Sequence, residues 1–419
     1  MGASVRAVAS RGVDGTRAQP SSAGVGGRIN QAGEPRLVGL ESVRGMAAIV
    51  VVWTHAWTLS RDFVGRTYTQ RLADGGLYAI FVFFALSGYL LYWPFAQAAW
   101  GNRGRVSLRN YALNRAWRVL PAYYLVLIVV MIVQYHGGSV RLWVAFATFT
   151  EDFSGKTLGL VDAPMWSVAT EMQFYILLPL IAWAIAWVSR GSLRTGALAL
   201  AALALPTFIA RELIRYGLPL DNNLQYLDNT LIETFCYFAL GMGLAMWRLS
   251  IQQRRPKWLD GPLGHSTLWL GAALALWLIA CWDFNWEIVG ALASALLIGA
   301  VVLPLRHGRA MAPFRWRPLA LLGVISYSIY LWHYPILVAI TNRSLTNPNE
   351  VIGRGLTQLF VLGLPLSVAV AALSYWQVER RGLARRRPWS RNVVSAAPEA
   401  ESPPAPEPAA PAAPSLTHT

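Results

Sequence analysis

Five ionisable side chains lie inside long apolar stretches of this sequence: Arg44, His55, Glu171, Glu233 and His333. On insertion scales, an ionisable residue at the centre of a membrane helix costs about 2.5–3.5 kcal/mol, so such residues are candidates for function. An imidazole exchanges a proton near neutral pH, and a guanidinium group holds a carboxylate or a phosphate. The set therefore indicates a buried site that handles protons and anions.

Arg44 and His55 are eleven residues apart in the first apolar stretch. In an α-helix this spacing comes within about 20° of whole turns and separates the two residues by about 16 Å along the axis. Arg44 then lies near one membrane surface, and His55 lies past the middle on the same face. This geometry suits a long substrate whose anionic end is held at Arg44. The alternative is an Arg that only sets topology and a His that hydrogen-bonds to a neighbouring helix.

Glu171 and Ser167 lie in the fourth apolar stretch, which runs opposite to the first. The spacing predicts Glu171 at a depth comparable to that of His55, and a carboxylate beside an imidazole can orient it as a base. Ser167 lies one turn away on the same face, within reach of Glu171 or a substrate. The alternative is a hydrogen-bond cluster that only holds helices together.

Arg115 and Arg118 open the third apolar stretch at a spacing of one helical turn. Together with Arg44, and with Arg109 as a further candidate, they predict a cytoplasmic cluster for phosphate groups, because a guanidinium presents a planar fork of donors. Arginines that only set the topology are the alternative.

An aromatic segment, SYSIYLWHYPIL, surrounds His333. Tyr330 and His333, together with Trp166 at the start of the fourth stretch, are the predicted substrate-binding residues. A packing motif explains the same segment equally well. In the second stretch, Ser87 and Gly88 predict a close approach between two helices.

The composition indicates the architecture that must position these residues. Of the 419 residues, 55% are hydrophobic and 14% are charged, whereas soluble domains carry about 25% charged residues. A soluble globular enzyme is excluded, and the expected fold is an all-α polytopic membrane protein. Apolar blocks of about twenty residues predict a bundle of about ten transmembrane helices. The predicted spans are 41–59, 77–99, 117–135, 166–188, 195–211, 231–248, 265–282, 286–305, 320–341 and 355–378.

The net charge of +15 comes from basic residues that lie mainly between the apolar stretches. Such positive charge normally sets topology, so both termini are predicted to be cytoplasmic and nucleic-acid binding is not expected. Residues 1–36 are predicted to be a disordered cytoplasmic arm, residues 37–380 the membrane domain, and residues 381–419 a basic and then Pro/Ala-rich disordered tail. The six His residues lack metal-ligand spacing, so no metal site and no bound cofactor are expected.

Seven segments occur in the order seen in the bacterial acyltransferase-3 family, and the chain resembles that family from about residue 38 to residue 380. One departure lies at the end, where an acid-Arg-Pro ending is common and this chain has Glu379 followed by Arg380, Arg381 and Gly382. The segments are R-x10-H (Arg44, His55), FFALSGYLL, R-x-x-R (Arg115, Arg118), WSVATEMQFY (Ser167, Glu171), FALGMGLA, LGVISYSIYLWHYPIL and SYWQVE.

The resemblance implies an enzyme of the bacterial inner membrane that moves an acyl group, often acetyl, from cytoplasmic acyl-CoA to an acceptor hydroxyl. The implied acceptors are carbohydrates, lipid-linked glycans and macrolide-type metabolites, and acyl-CoA is a co-substrate. His55 resembles the family's essential first-span histidine and Arg44 its partner. Arg115 and Arg118 resemble the donor-side pair, and Glu171 with Ser167 resembles the fourth-span site.

A second class of function uses the same buried residues differently. A transporter or flippase for a lipid-linked sugar or a small molecule would employ them as a proton relay. Donor dependence separates the two, because an acyltransferase consumes acyl-CoA and the flux through a transporter does not depend on it.

Overall fold

The computed structural model describes residues 38–60, 68–101, 104–213, 229–282, 286–303, 305–341, 355–385 and 387. Every regular element among these residues is helical, which confirms the predicted all-α class. The predicted N-terminal arm and all of the predicted tail beyond residue 387 lie outside the described residues. The helices are α1 Val38–Leu59, α2 Tyr68–Asp74, α3 Ala79–Trp100, α4 Leu108–Val133, α5 Val140–Ala147, α6 Met165–Ser189, α7 Leu193–Glu212, α8 Leu231–Gln253, α9 Ser266–Trp282, α10 Glu287–Val302, α11 Arg317–Val324, α12 Ser326–Thr341, α13 Leu356–Ser374 and α14 Arg380–Ala384.

Within the described ranges, six helical segments are long and apolar enough to cross a membrane. Helices α11 and α12, bent by 74° at their junction, make a seventh if they count as one broken span. Helices α9 and α10 are shorter, at 17 and 16 residues, and α1 has 22 residues but carries charged and polar side chains. Each predicted span overlaps a helix, but the predicted number of about ten spans is not confirmed. The six segments are Gln70–Trp100, Leu108–Val133, Met165–Ser189, Leu193–Glu212, Leu231–Gln253 and Leu356–Ala384.

Helix α1 packs against α3, α11, α12 and α13. Two glycines bring α1 and α11 into backbone contact. A Cβ atom on Gly45 would overlap the backbone oxygen of Leu319, and one on Gly323 would overlap that of Glu41. Because the two backbones touch, α1 has little room to rotate, and the side chains that it carries are held in a fixed direction.

Small residues also set the crossing of α3 and α8. A Cβ atom on Gly88 would overlap the carbonyl oxygen of Phe238, and one on Gly241 would overlap that of Ala85. The close approach predicted at Ser87 and Gly88 is therefore confirmed, with α8 as the partner helix.

The chain after helix α13 is bonded to the rest of the bundle at Glu379, just before Arg380 and Arg381. Helix α13 continues through a π-helical turn, Tyr375–Glu379, into α14. The Glu379 carboxylate is fully buried and accepts a hydrogen bond from the hydroxyl of Ser328 on α12. The buried bond fixes the direction in which the chain leaves the bundle.

Three carboxyl groups are buried in the connection between α4 and α6. Glu151 and Asp152 are fully buried, and Asp162 is 2% exposed. Burial penalises the charged form, and it raises the pKa of Glu151 to about 8 and that of Asp152 to about 6. This connection therefore holds protons that the unfolded chain would release.

We expect thermal stability to fall as pH rises from about 5 to about 8. In that window folded Glu151 keeps a proton that the unfolded chain releases above its ordinary pKa of 4.5. Folding therefore takes up a proton, and the free energy of unfolding falls as the pH rises. The melting temperature in detergent should drop by roughly 5–10 °C across the window. Glu151→Gln should flatten this slope, and the control Asp260→Asn, at an exposed carboxylate, should not. An unchanged slope in Glu151→Gln contradicts the assignment.

Candidate active site

The predicted site residues form two groups where α1, α4, α6 and α12 meet. We call His55, His333, Tyr330 and Ser167 the histidine cluster, and Arg44, Arg115, Arg118 and Glu171 the arginine cluster. Helix α1 contributes to both groups through His55 and Arg44, about 16 Å apart along its axis. Helix α6 also contributes to both, through Ser167 and Glu171.

Two imidazole rings face each other in the histidine cluster. Nδ1 of His55 lies 3.1 Å from Nε2 of His333 and 3.0 Å from the carbonyl oxygen of Val51. Nδ1 of His333 lies 2.6 Å from the carbonyl oxygen of Tyr330. A carbonyl oxygen can only accept, so in the neutral rings Nδ1 carries the proton of each. Nε2 of His333 then accepts from Nδ1 of His55, and Nε2 of His55 keeps a lone pair.

Aromatic rings and hydroxyl groups fix the two histidines. The Tyr334 ring meets the His55 ring edge-on, with centroids 5.5 Å apart, and the Tyr330 ring lies 5.6 Å from that of His333. The Tyr330 hydroxyl lies 2.6 Å from Oγ of Ser167 and ties α12 to the start of α6. His333 is fully buried, whereas His55 is half-buried. His55 is therefore the histidine that a substrate can approach.

The arginine cluster includes the carboxylate of Glu171. Glu171 accepts a hydrogen bond from the hydroxyl of Ser87 on α3, and it interacts electrostatically with Arg44 and Arg115. The Arg118 guanidinium lies 5.9 Å from the centre of the Tyr327 ring on α12. Arg118 interacts electrostatically with Arg44 and Arg115, and the carboxylate of Glu41 also interacts with Arg44. Three guanidinium groups therefore face two carboxylates, and the cluster carries an excess of positive charge.

Two buried donors in this cluster have no hydrogen-bond partner among the described residues. They are the Nε atoms of Arg44 and Arg115. A buried guanidinium donor without a partner is costly, and an anionic ligand would satisfy it. The arginine cluster can therefore receive an anion beside Glu171.

In the structure, the predicted site residues have other hydrogen-bond partners than those expected from the sequence. His55 was expected beside Glu171, but its hydrogen-bond contacts are with His333 and Val51, and the carboxylate of Glu171 is bonded to Ser87. Ser167 bonds to Tyr330 rather than to Glu171. The sequence predicts the direction of each span. It fixes neither the exact depth of a side chain nor the rotation of a helix about its axis, and Glu171 lies near Arg44 rather than level with His55.

The bond of Ser87 to Glu171 and the contact of Tyr327 with Arg118 were not predicted from the sequence. The signal for the tyrosine was present, because Tyr327, Tyr330 and His333 recur every three residues on one side of α12. The ring of Trp166 meets that of Phe84, with centroids 6.1 Å apart. In the described part of the chain, no three His, Cys, Asp or Glu side chains are placed to hold a metal ion.

The sequence is similar to those of several bacterial proteins. A family model described as an acyltransferase domain matches residues 37–376. A Bacillus subtilis protein named "Putative peptidoglycan O-acetyltransferase" is 27% identical over 371 residues, 82% of this chain and 54% of that protein. The peptidoglycan O-acetyltransferase of Listeria monocytogenes is 24% identical over 333 residues, 74% of this chain and 51% of that protein. An O-acetyltransferase of Staphylococcus aureus is 23% identical over 382 residues, 84% of this chain and 58% of that protein.

The chain spans about half the length of these curated relatives. No solved structure matches it significantly. The residues that match the family model, 37–376, include every member of the histidine and arginine clusters.

Proposed function

This chain belongs to the acyltransferase-3 family, and on that premise we propose that it is a membrane O-acetyltransferase that uses acyl-CoA as its donor. The acceptor is a hydroxyl group of a carbohydrate, with peptidoglycan or its lipid-linked precursor as the first candidate because relatives carry that substrate in their names. The observation that carries the proposal is the histidine pair, which leaves Nε2 of His55 with a lone pair at the half-buried end of the site.

The histidine cluster accounts for the proton transfers of such a reaction. Nε2 of His55 takes the proton of the acceptor hydroxyl, and the hydroxyl oxygen attacks the thioester carbonyl carbon. A carbon–oxygen bond forms, the carbon–sulfur bond breaks, and the departing thiolate takes the proton back from Nε2. While His55 is charged, Nε2 of His333 and the oxygen of Val51 accept from its Nδ1 and stabilise the ring.

The arginine cluster accounts for the donor. Acyl-CoA is long and anionic, and its thioester lies far from its phosphates. The unsatisfied Nε atoms of Arg44 and Arg115 suit the anionic part, and the separation of about 16 Å along α1 leaves room for an extended arm that reaches His55. Glu171, bonded to Ser87, then holds the arginines apart and in place rather than orienting His55.

Binding of acyl-CoA at the arginine cluster also implies an orientation of the protein in the membrane. The arginine cluster would face the cytoplasm, where acyl-CoA is found, and both termini would be cytoplasmic in the bacterial inner membrane. The excess of Lys and Arg between the apolar stretches supports the same orientation. Lipid-linked glycans and macrolide-type hydroxyls are the other acceptors of this reaction class.

A transporter or flippase is not favoured, because the family and the named relatives are acyltransferases. The experiment that separates the two uses the purified protein in proteoliposomes with acetyl-CoA and peptidoglycan fragments. We expect free CoA thiol to appear only when both substrates are present. Movement of a glycan across the bilayer without release of CoA contradicts the proposal.

Arg115→Ala should raise the KM for acetyl-CoA about tenfold or more, because a hydrogen bond to a charged group contributes about 1.5–3 kcal/mol. The release of CoA at varied donor concentration measures this change. Arg194→Ala removes an equal charge from the exposed start of α7 and should leave the KM unchanged. An unchanged KM in Arg115→Ala would mean that this arginine only sets topology.

A further inference from the structure

A cleft lies at the start of α4, between its first turns and the chain that follows α14. Its volume is about 270 Å³. It lies on the same helix as Arg115 and Arg118 and begins about two turns before them. Three of the lining residues are arginines and none is acidic. The lining residues are Arg109, Asn110, Leu113, Asn114, Trp117, Arg385 and Arg387.

Specific contacts build this cleft. The side chain of Asn114, which is 1% exposed, donates from Nδ2 to the carbonyl oxygen of Arg387 at 2.6 Å and accepts from its backbone N–H at 3.0 Å. A Cβ atom on Gly382 would lie 2.6 Å from the carbonyl oxygen of Trp117, so only a residue without a side chain fits this crossing easily. Arg387 is therefore held against α4, and Arg385 and Arg387 line the cleft together with Arg109 of α4.

The side chains that line the cleft indicate which kind of ligand it binds. Arg109, Arg385 and Arg387 present guanidinium forks with no carboxylate among the lining residues to neutralise them, which suits a ligand with more than one phosphate. The guanidinium of Arg385 lies 4.7 Å from the centre of the Trp117 ring. An indole face and a guanidinium plane are both surfaces on which a nucleobase stacks. The combination fits a nucleotide that carries several phosphates.

We propose that this cleft binds the adenine-nucleotide end of the acyl-CoA donor. The proposal rests on the proposed function, and it assigns a second binding site next to the arginine cluster. Arg109 and Arg118 are nine residues apart on α4, about 14 Å along the axis. With the adenosine and its 3′-phosphate in the cleft, the diphosphate of the donor would lie toward the arginine cluster and its thioester toward His55.

The test compares two donors that differ only in the nucleotide. For the double variant Arg385→Ala/Arg387→Ala, the KM for acetyl-CoA should rise about tenfold or more. The KM for acetyl-pantetheine, which has no nucleotide, should change less than twofold. Arg109→Ala, on the opposite wall of the cleft, should give the same split without touching the pairing of Asn114 with Arg387. Arg381→Ala removes a charge from the exposed side of α14, outside the cleft, and should change neither KM.

Equal effects on the two donors, or no effect on either, would overturn the proposal. Adenosine 3′,5′-bisphosphate supplies a readout that does not need turnover. Equilibrium dialysis should show that the wild type binds it and that the double variant binds it at least tenfold more weakly. If the wild type binds the bisphosphate but does not consume acetyl-CoA, the proposed function fails and the nucleotide site stands. If the substitutions change only the dependence of activity on the anionic lipid content of the membrane, the cleft holds a lipid headgroup and the proposal is wrong.

Discussion

Replacing His55 with alanine should lower kcat by a factor of about 10²–10⁴, the usual contribution of a positioned general base. Among the described residues, Nε2 of His55 is the one nitrogen of the histidine pair whose lone pair has no partner, because Nε2 of His333 accepts from Nδ1 of His55. Without the imidazole, the remaining base in the histidine cluster is Nε2 of His333, which is fully buried and lies behind the position where the acceptor hydroxyl meets His55. Release of CoA by matched amounts of purified protein measures the loss.

Protein level and folding must stay constant for this comparison. His136→Ala, at an exposed histidine outside the helices, is the matched control and should keep wild-type turnover. The KM for acetyl-CoA should change little in His55→Ala, since the donor's phosphates are assigned to the arginine cluster and to the cleft at the start of α4. Turnover near the wild-type level in His55→Ala would end the assignment of His55 as the base.

Replacing His333 with leucine should lower kcat about 10- to 100-fold. His333 is a positioning residue in this account, because it accepts a hydrogen bond from Nδ1 of His55 and stabilises the charged ring. A hydrogen bond to a charged group contributes about 1.5–3 kcal/mol, which corresponds to that range. The same assay of CoA release measures the change, together with the KM for the donor.

The conservative variant separates positioning from packing. His333→Gln keeps an oxygen that can accept from Nδ1 of His55, and it should recover most of the activity that His333→Leu loses. A residue that served only to fill the buried space would not distinguish the two in this way. Equal losses in His333→Gln and His333→Leu, with the same melting temperature, would contradict the positioning role.

The helices that carry the site residues, and the spacing of these residues along each helix, could be predicted from the sequence. The placement of Arg44 and His55 on one helix depends only on helical periodicity, and α1 contains both. Arg115 and Arg118 are one turn apart on α4 as expected. Gly88 meets the backbone of a second helix, as small residues in apolar stretches do.

The partners of these residues could not be predicted in the same way. His55 and His333 are 278 residues apart, and Asn114 and Arg387 are 273 residues apart. Which of many apolar helices packs beside α1 depends on all their packing faces together, and these helices are apolar on every side. The bond of Ser87 to Glu171 was likewise hidden, because a serine next to a glycine in an apolar stretch indicates packing first.

The transfer of the acetyl group can be followed with a label from the donor to the acceptor. The protein in proteoliposomes receives acetyl-CoA with an isotope in the acetyl carbonyl, together with purified peptidoglycan fragments or their lipid-linked precursor. We predict that the label appears as an ester on a sugar hydroxyl, in equal amount to the CoA released, and that His55→Ala transfers almost none. Equal transfer by His55→Ala, or passage of the glycan across the bilayer without label, would contradict the account.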